Sequence, residues 1–105
     1  MLKEYTQELD GLIVAHCRDF DRRDRLISEG RCERRTLMEL RFLNYKILDA
    51  ASDIVGERLA PLFIKDIGSR TGYPSSDVDC MSEVMYKQKK QLCKLSIARR
   101  LYLID

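Results

Sequence analysis

Few side chains in this 105-residue chain could do chemistry. There is one histidine, His16, and four cysteines, Cys17, Cys32, Cys80 and Cys93. A structural zinc site usually begins with two cysteines two to four residues apart, because close spacing preorganises two ligands. The gaps here are 15, 48 and 13 positions, so no such pair exists and no metal site is expected. The opening Met1-Leu2-Lys3-Glu4-Tyr5 lacks the apolar block of a secretory signal. The expectation is therefore a cytoplasmic protein with reduced, buried or half-buried thiols rather than disulfides. His16 has no nucleophile motif beside it and reads as a helix side chain. There is no G-x-S-x-G and no glycine-rich phosphate loop, and the acids alternate with Arg and Lys as surface pairs do. An enzyme is not expected, and no cofactor is implied.

What remains is charge. The chain carries 19 basic and 17 acidic residues, a net +2 that says little by itself. Its distribution says more: residues 1–60 sum to −1, residues 61–86 to −2, and residues 87–105 to +5. Lys87, Lys90 and Lys94 share one helical stripe, with Lys89 beside it. Such a stripe either follows a phosphate backbone or is an ordinary solvated face.

The elements that must position these residues are helical. With 45% hydrophobic and 34% charged residues, and only 5 Gly and 2 Pro, the composition is that of one folded, helix-leaning domain. Apolar runs such as Leu12 to Ala15 are far too short to span a bilayer. Tyr5, Leu9, Leu12, Ile13, Cys17, Phe20 and Ile27 recur at three- and four-residue steps, predicting one helix over 3–29 that stops at Gly30. The mixed-charge run Arg18 to Arg25 reads as a solvated face laced with i,i+3 and i,i+4 pairs. A second helix is predicted over 33–56. Thr36 with Glu39 fits a capping box that would delay its regular part by a turn. Leu37, Leu40, Asn44, Ile47, Ala51 and Ile54 form its seam, widened by Leu43, Leu48 and Val55. Asn44 within that seam either fixes register or oligomeric state, or is satisfied by a neighbouring backbone group. The short break at Gly30 makes these two helices an antiparallel hairpin over 1–57. Pro61 suits the start of a short third helix, which Thr71-Gly72-Tyr73-Pro74 stops. A fourth helix is predicted from Ser75 or Ser76 to about Arg100. Ile97, Leu101, Leu103 and Ile104 form an apolar tail that needs somewhere to pack. No segment alternates like a strand.

Residues Ile64 to Glu83 have helix-turn-helix spacing. That motif needs a small residue in its first helix, a residue tolerant of positive φ at the turn, and apolar residues that clamp the second helix at a steep angle. Counting Ile64 as the first of twenty positions, Ile67 falls fourth, Gly68 on the small fifth, Gly72 on the turn ninth and Tyr73 on the apolar tenth. Val78 and Met81 fall fifteenth and eighteenth. Thr71 departs from the aliphatic eighth. The second helix would lead with Ser75, Ser76, Asp77, Asp79 and Glu83. Its carboxylates suit a groove only where each meets a cytosine amino group or a basic partner.

Phe20-Asp21-Arg22-Arg23 through Ile27-Ser28-Glu29-Gly30, then Leu43 to Ala51, then Ile67-Gly68-Ser69-Arg70-Thr71-Gly72-Tyr73, resemble small regulators of Gram-positive phages and mobile elements. These are the RinA/ArpU-type activators of late genes, whose C-terminal part is similar to region 4 of bacterial sigma factors. The resemblance implies a C-terminal helix-turn-helix that binds promoter DNA, with RNA polymerase as a possible neighbour. Recognition residues would fall among Ser75, Ser76, Asp79, Cys80 and Glu83, and Lys87, Lys89, Lys90 and Lys94 would neutralise phosphates.

Two functional expectations follow. The first is an all-α, non-enzymatic regulator binding double-stranded DNA, with residues 61–105 carrying the helix-turn-helix and a long basic C-terminal helix. The second is a helical protein–protein interaction or dimeric scaffold protein that uses the helix-turn-helix only for packing. In that case the hairpin seam, with Leu40 and Ile47 at its centre, is wider than one monomer can cover.

Overall fold

The computed structural model describes residues 5–70, 72–73 and 81–104. Among them are five helices and no strand: α1 Gln7–Arg18, α2 Phe20–Glu29, α3 Arg34–Val55, α4 Ala60–Ser69 and α5 Glu83–Arg100.

The first predicted helix is two. Thr6 caps α1, its hydroxyl accepting from the Leu9 amide at 3.1 Å. Asp19 then interrupts the helix, and α2 runs from Phe20 until Gly30, at φ 64, closes it. Apolar periodicity runs through Asp19 without interruption, so the pattern alone could not show the break. Its cause is polar. The Arg23 guanidinium is buried, donates to the His16 carbonyl at 2.6 Å and to the Asp19 carboxylate at 2.9 Å, and so ties the start of α2 to the end of α1. Carbonyls at a helix end lack intrahelical donors, and Arg23 supplies one.

The break redirects packing. α2 packs on α3, whereas α1 packs chiefly on α4 and partly on α5. Of the single helix expected over 3–29, only the α2 part packs chiefly on α3. The third element, α3, starts at Arg34 rather than a turn later. The Leu37 amide already bonds the Glu33 carbonyl at 2.9 Å, so Thr36 lies inside the helix and caps nothing.

One apolar cluster joins the elements. Ile13, Ile47, Phe63, Ile67, Tyr86, Cys93 and Ile97 are each almost wholly removed from water. The C-terminal tail packs against it, with Leu101, Leu103 and Ile104 half-buried. α5 is continuous through Gln91. It closes with the Leu103 amide on the Ala98 carbonyl at 2.9 Å and with Tyr102 at φ 59, a left-handed cap made without glycine. At the same end Arg100 is clamped by Asp49 and Asp53 of α3, the latter at 2.8 Å. Ser96 donates to the Ala50 carbonyl at 2.9 Å. No helix among the described residues is long and apolar enough to cross a membrane.

Candidate nucleic-acid interface

The last helix starts later than its sequence suggested. Ser82 has an extended backbone, φ −72 and ψ 163, and its hydroxyl accepts from the Met85 amide at 3.1 Å, so α5 begins at Glu83. A good N-cap with an acid directly after it defines this start, and Ser82-Glu83 outranks the expected Ser75 or Ser76. A helix running unbroken from Ser75 through Glu83 is thereby excluded. Ser75, Ser76, Val78, Asp79 and Cys80 lie outside the described residues.

The remaining positions of the motif lie as follows. Ile67 is fully buried in the core. Gly68 is the small residue a close crossing needs, but the chain that crosses it is α1. A Cβ at Gly68 would stand 2.7 Å from the Arg18 amide nitrogen and 2.9 Å from the Cys17 carbonyl carbon. Arg18 also donates from Nε to the Gly68 carbonyl at 3.2 Å. α4 ends one step before the expected stop, with Arg70 in the left-handed region at φ 57, and Gly72 follows at φ 89. Tyr73 and Met81 are linked across the connection, the Tyr73 hydroxyl donating to the Met81 carbonyl at 2.6 Å.

Behind this connection sits a polar cluster that sequence reasoning missed. Asp66 is buried on α4 and accepts from the Tyr86 hydroxyl at 2.5 Å and from the Gly72 amide at 2.7 Å. Lys90 Nζ lies 3.1 Å from Asp66 Oδ2, the same oxygen that accepts from Tyr86. Burial alone would raise the Asp66 carboxyl. The hydrogen bonds from Tyr86 and Gly72, with the Lys90 charge, outweigh that and hold it below the ordinary carboxylate value. Burial pushes the Tyr86 phenol up, and the bond to Asp66 adds to the effect. The Tyr86 ring stacks on Phe63 at 4.5 Å and takes Tyr73 edge-on at 5.5 Å.

A second carboxylate, Asp10 on α1, receives Lys94 Nζ and the Tyr5 hydroxyl at 2.9 and 3.0 Å. Burial raises it, but the Lys94 and Tyr5 bonds more than offset this and its carboxyl is lowered. The predicted lysine stripe therefore divides. Lys90 and Lys94 turn inward to carboxylates of α4 and α1, with side chains only 19% and 17% exposed. Lys87 stays in solvent beside Glu83 at 3.2 Å, and Lys89 is half-exposed. The signal available in the sequence was that two acids, Asp10 and Asp66, sit on otherwise apolar helix faces.

The outward side of α5 carries Glu83, Val84, Met85, Lys87, Gln88 and Gln91, all exposed, while Tyr86 and Cys93 anchor the back. The thiols at Cys17 and Cys93 are buried, and burial pushes both up to about 12, which makes them inert at neutral pH. His16 is held below its ordinary value, first by burial and then by the Arg23 charge. Among the described residues no group of three or more His, Cys, Asp and Glu is placed to hold a metal. Comparison with protein-family models, curated proteins and solved structures returned no match.

Proposed function

We propose that this protein is a non-enzymatic DNA-binding regulator in which α4 braces α5 and α5 enters the groove. The observation that supports this is the two-sided character of α5. Tyr86, stacked on Phe63 and bonded to Asp66, locks its first turns to α4. The opposite side leaves Val84, Met85, Lys87, Gln88 and Gln91 in solvent. A reading helix contacts base edges with its N-terminal residues and is held from behind by its partner helix. Gln88 and Gln91 carry the amides that pair with the adenine edge, and Val84 and Met85 suit a thymine methyl. Lys87 and Lys89 are the phosphate contacts. Lys90 and Lys94 are removed from that role, because their charge is spent on Asp66 and Asp10. Promoter binding beside RNA polymerase, in a phage or mobile element, is the extension that the resemblance to late-gene activators suggests.

The test is fluorescence anisotropy with a pool of labelled duplexes at about 50 and 200 mM salt, the range in which phosphate contacts show themselves. Binding in the micromolar range or tighter that weakens with salt supports the reading. Lys87→Ala with Lys89→Ala should then reduce the salt slope by about two. Absence of binding at the lower salt overturns it.

A second reading, a helical interaction protein without a nucleic-acid ligand, is favoured by the inward turn of Lys90 and Lys94. On that reading the basic C-terminal helix is a structural clamp for α1, α3 and α4, and the same titration shows no binding.

A further inference from the structure

We propose that the outer face of α3 is a dimer interface, on which a second copy of this chain docks its own α3 in antiparallel, two-fold arrangement. Nine large apolar side chains are exposed among the described residues, and four of them, Met38, Phe42, Tyr45 and Leu48, lie on this one helix. Met38, Phe42 and Tyr45 are each about 60% exposed, far more than a solvated helix face requires. The residues expected to be left over from the hairpin, Leu40 and Ile47, are half-buried and fully buried, so the free seam is on the opposite side of the helix from them.

Spacing and charge select the occupant. Arg35, Met38, Phe42, Tyr45, Asp49 and Ser52 follow alternating steps of three and four, the pattern of a helix seam. The seam is apolar at its centre and carries an excess of opposite charge at its two ends. Arg34, Arg35 and Arg41 outnumber Glu39, which Arg35 meets at 3.5 Å, toward the N-terminal end, and Asp49 and Asp53, two carboxylates sharing the single Arg100, stand at the other. A two-fold axis between positions 42 and 45 sets Phe42 of one copy against Tyr45 of the other and Arg34 against Asp53. A parallel pairing would instead set each arginine against its own copy. An isologous contact is self-complementary, and this face is so only in the antiparallel sense. The patch continues at the C-terminal turn, where Lys46 Nζ lies over the Phe42 ring at 4.5 Å and over the Tyr102 ring at 5.0 Å. A seam about 26 Å long and one helix wide is at the low end of stable interfaces, so a micromolar dimer is expected.

The proposal is independent of DNA binding. It is tested by sedimentation velocity of the full chain from about 1 to 200 µM, in the concentration range a micromolar dimer spans. The expected result is a shift with concentration from the monomer mass of 12.3 kDa toward twice that value. Phe42→Asp, at a position 58% exposed and therefore tolerant of the change, should keep the helical circular dichroism and raise the dimer dissociation constant at least tenfold. Arg34→Glu should weaken the dimer, and added NaCl should weaken the wild-type dimer. A wild-type chain that stays monomeric at the highest concentration overturns the proposal and assigns the face to a different partner. So does a folded Phe42→Asp that dimerises unchanged. A dimer that tightens with salt overturns the antiparallel arrangement, because like charges would then be facing.

Discussion

Asn44 and Arg23, twenty-one residues apart, meet through a hydrogen bond of 2.6 Å from the guanidinium Nε to the Asn44 side-chain oxygen, both groups buried. The other end of Asn44 donates to the Phe20 carbonyl at 3.1 Å. One polar residue in the α3 seam thus holds the first turn of α2 at two points, and Arg23 passes the constraint on to Asp19 and His16 at the break. Breaking either side strands a buried polar group. Asn44→Ala is expected to destabilise the fold by about 1–3 kcal/mol. Arg23→Met should cost at least as much, whereas the pair Arg23→Met with Asn44→Ala should cost less than the sum of the two singles. Urea melts of the four proteins measure this, and additivity would show that the two residues do not act together. Arg23→Met should also let the His16 pKa rise, since the guanidinium charge is one of the causes holding it down, and NMR titration reads that directly.

Gly68 marks a close approach of α4 to the last turn of α1. A methyl group there meets backbone atoms of Cys17 and Arg18 below 3.0 Å, and backbone cannot swing aside as a flexible side chain would. Gly68→Ala is therefore expected to destabilise by about 1–3 kcal/mol, although alanine is the better helix former at an unhindered site. Gly11, on α1, has nothing within 4 Å of the corresponding position. Gly11→Ala should stabilise by up to about 1 kcal/mol. Thermal denaturation of the two variants side by side checks the opposite signs.

Much of the helical content was legible because periodicity, Gly30, Gly56 and Pro61 are local signals. Two classes of feature were not. The break at Asp19 leaves the apolar spacing intact and arises from the reach of Arg23, which a charge-dense run disguises as a solvated face. Pairs at i,i+3 and i,i+4 do occur there, Arg22 and Arg23 each on Asp19, but Arg23 also carries a buried load. The lysine stripe is the converse case. The spacing puts Lys87, Lys90 and Lys94 on one stripe, but the sequence does not say that Asp66 and Asp10, from two different helices, draw Lys90 and Lys94 inward. The small residue at Gly68 was likewise found by its spacing, and its crossing partner proved to be α1. Local pattern identifies which position needs special treatment, and long-range contact decides what presses on it.

The division of the lysines gives variants with opposite behaviour. Lys90→Ala and Lys94→Ala each remove a charged donor from a carboxylate that is largely screened from water, and each is expected to cost about 1.5–3 kcal/mol of stability. Neither should change the salt dependence of any duplex binding. Lys87→Ala and Lys89→Ala should leave stability within about 0.5 kcal/mol, because exposed pairs contribute little, and should carry whatever salt slope there is. Urea denaturation and anisotropy on the same four variants separate the groups. A loss of salt slope in Lys90→Ala without loss of stability would contradict the inward geometry.

The pH dependence of stability follows from the same carboxylates. Asp66 and Asp10 are lowered in the folded protein relative to their ordinary value of 3.8. Between the folded value and 3.8, the unfolded chain binds protons that the folded chain does not. Their contribution is therefore complete above about pH 5 and is lost as the pH falls through the folded values. Asp66→Asn removes one of these groups. It should be less stable than the wild type at pH 7, where the half-buried Lys90 charge loses its carboxylate, and should lose less on acidification to pH 3. At the alkaline end the sign reverses. Cys17 and Cys93 are raised from 9.0 to about 12, so above pH 9 the unfolded chain releases thiol protons that the folded chain keeps, and stability falls from there to about pH 12. Peptide-resolved alkylation at pH 8 provides an independent check on these two thiols. The half-buried Cys32 should label readily, and Cys17 and Cys93 only at the rate of unfolding. Rapid labelling of Cys93 in the folded protein would mean that α5 opens locally away from the core, and would remove the rigid backing on which its proposed role as a reading helix depends.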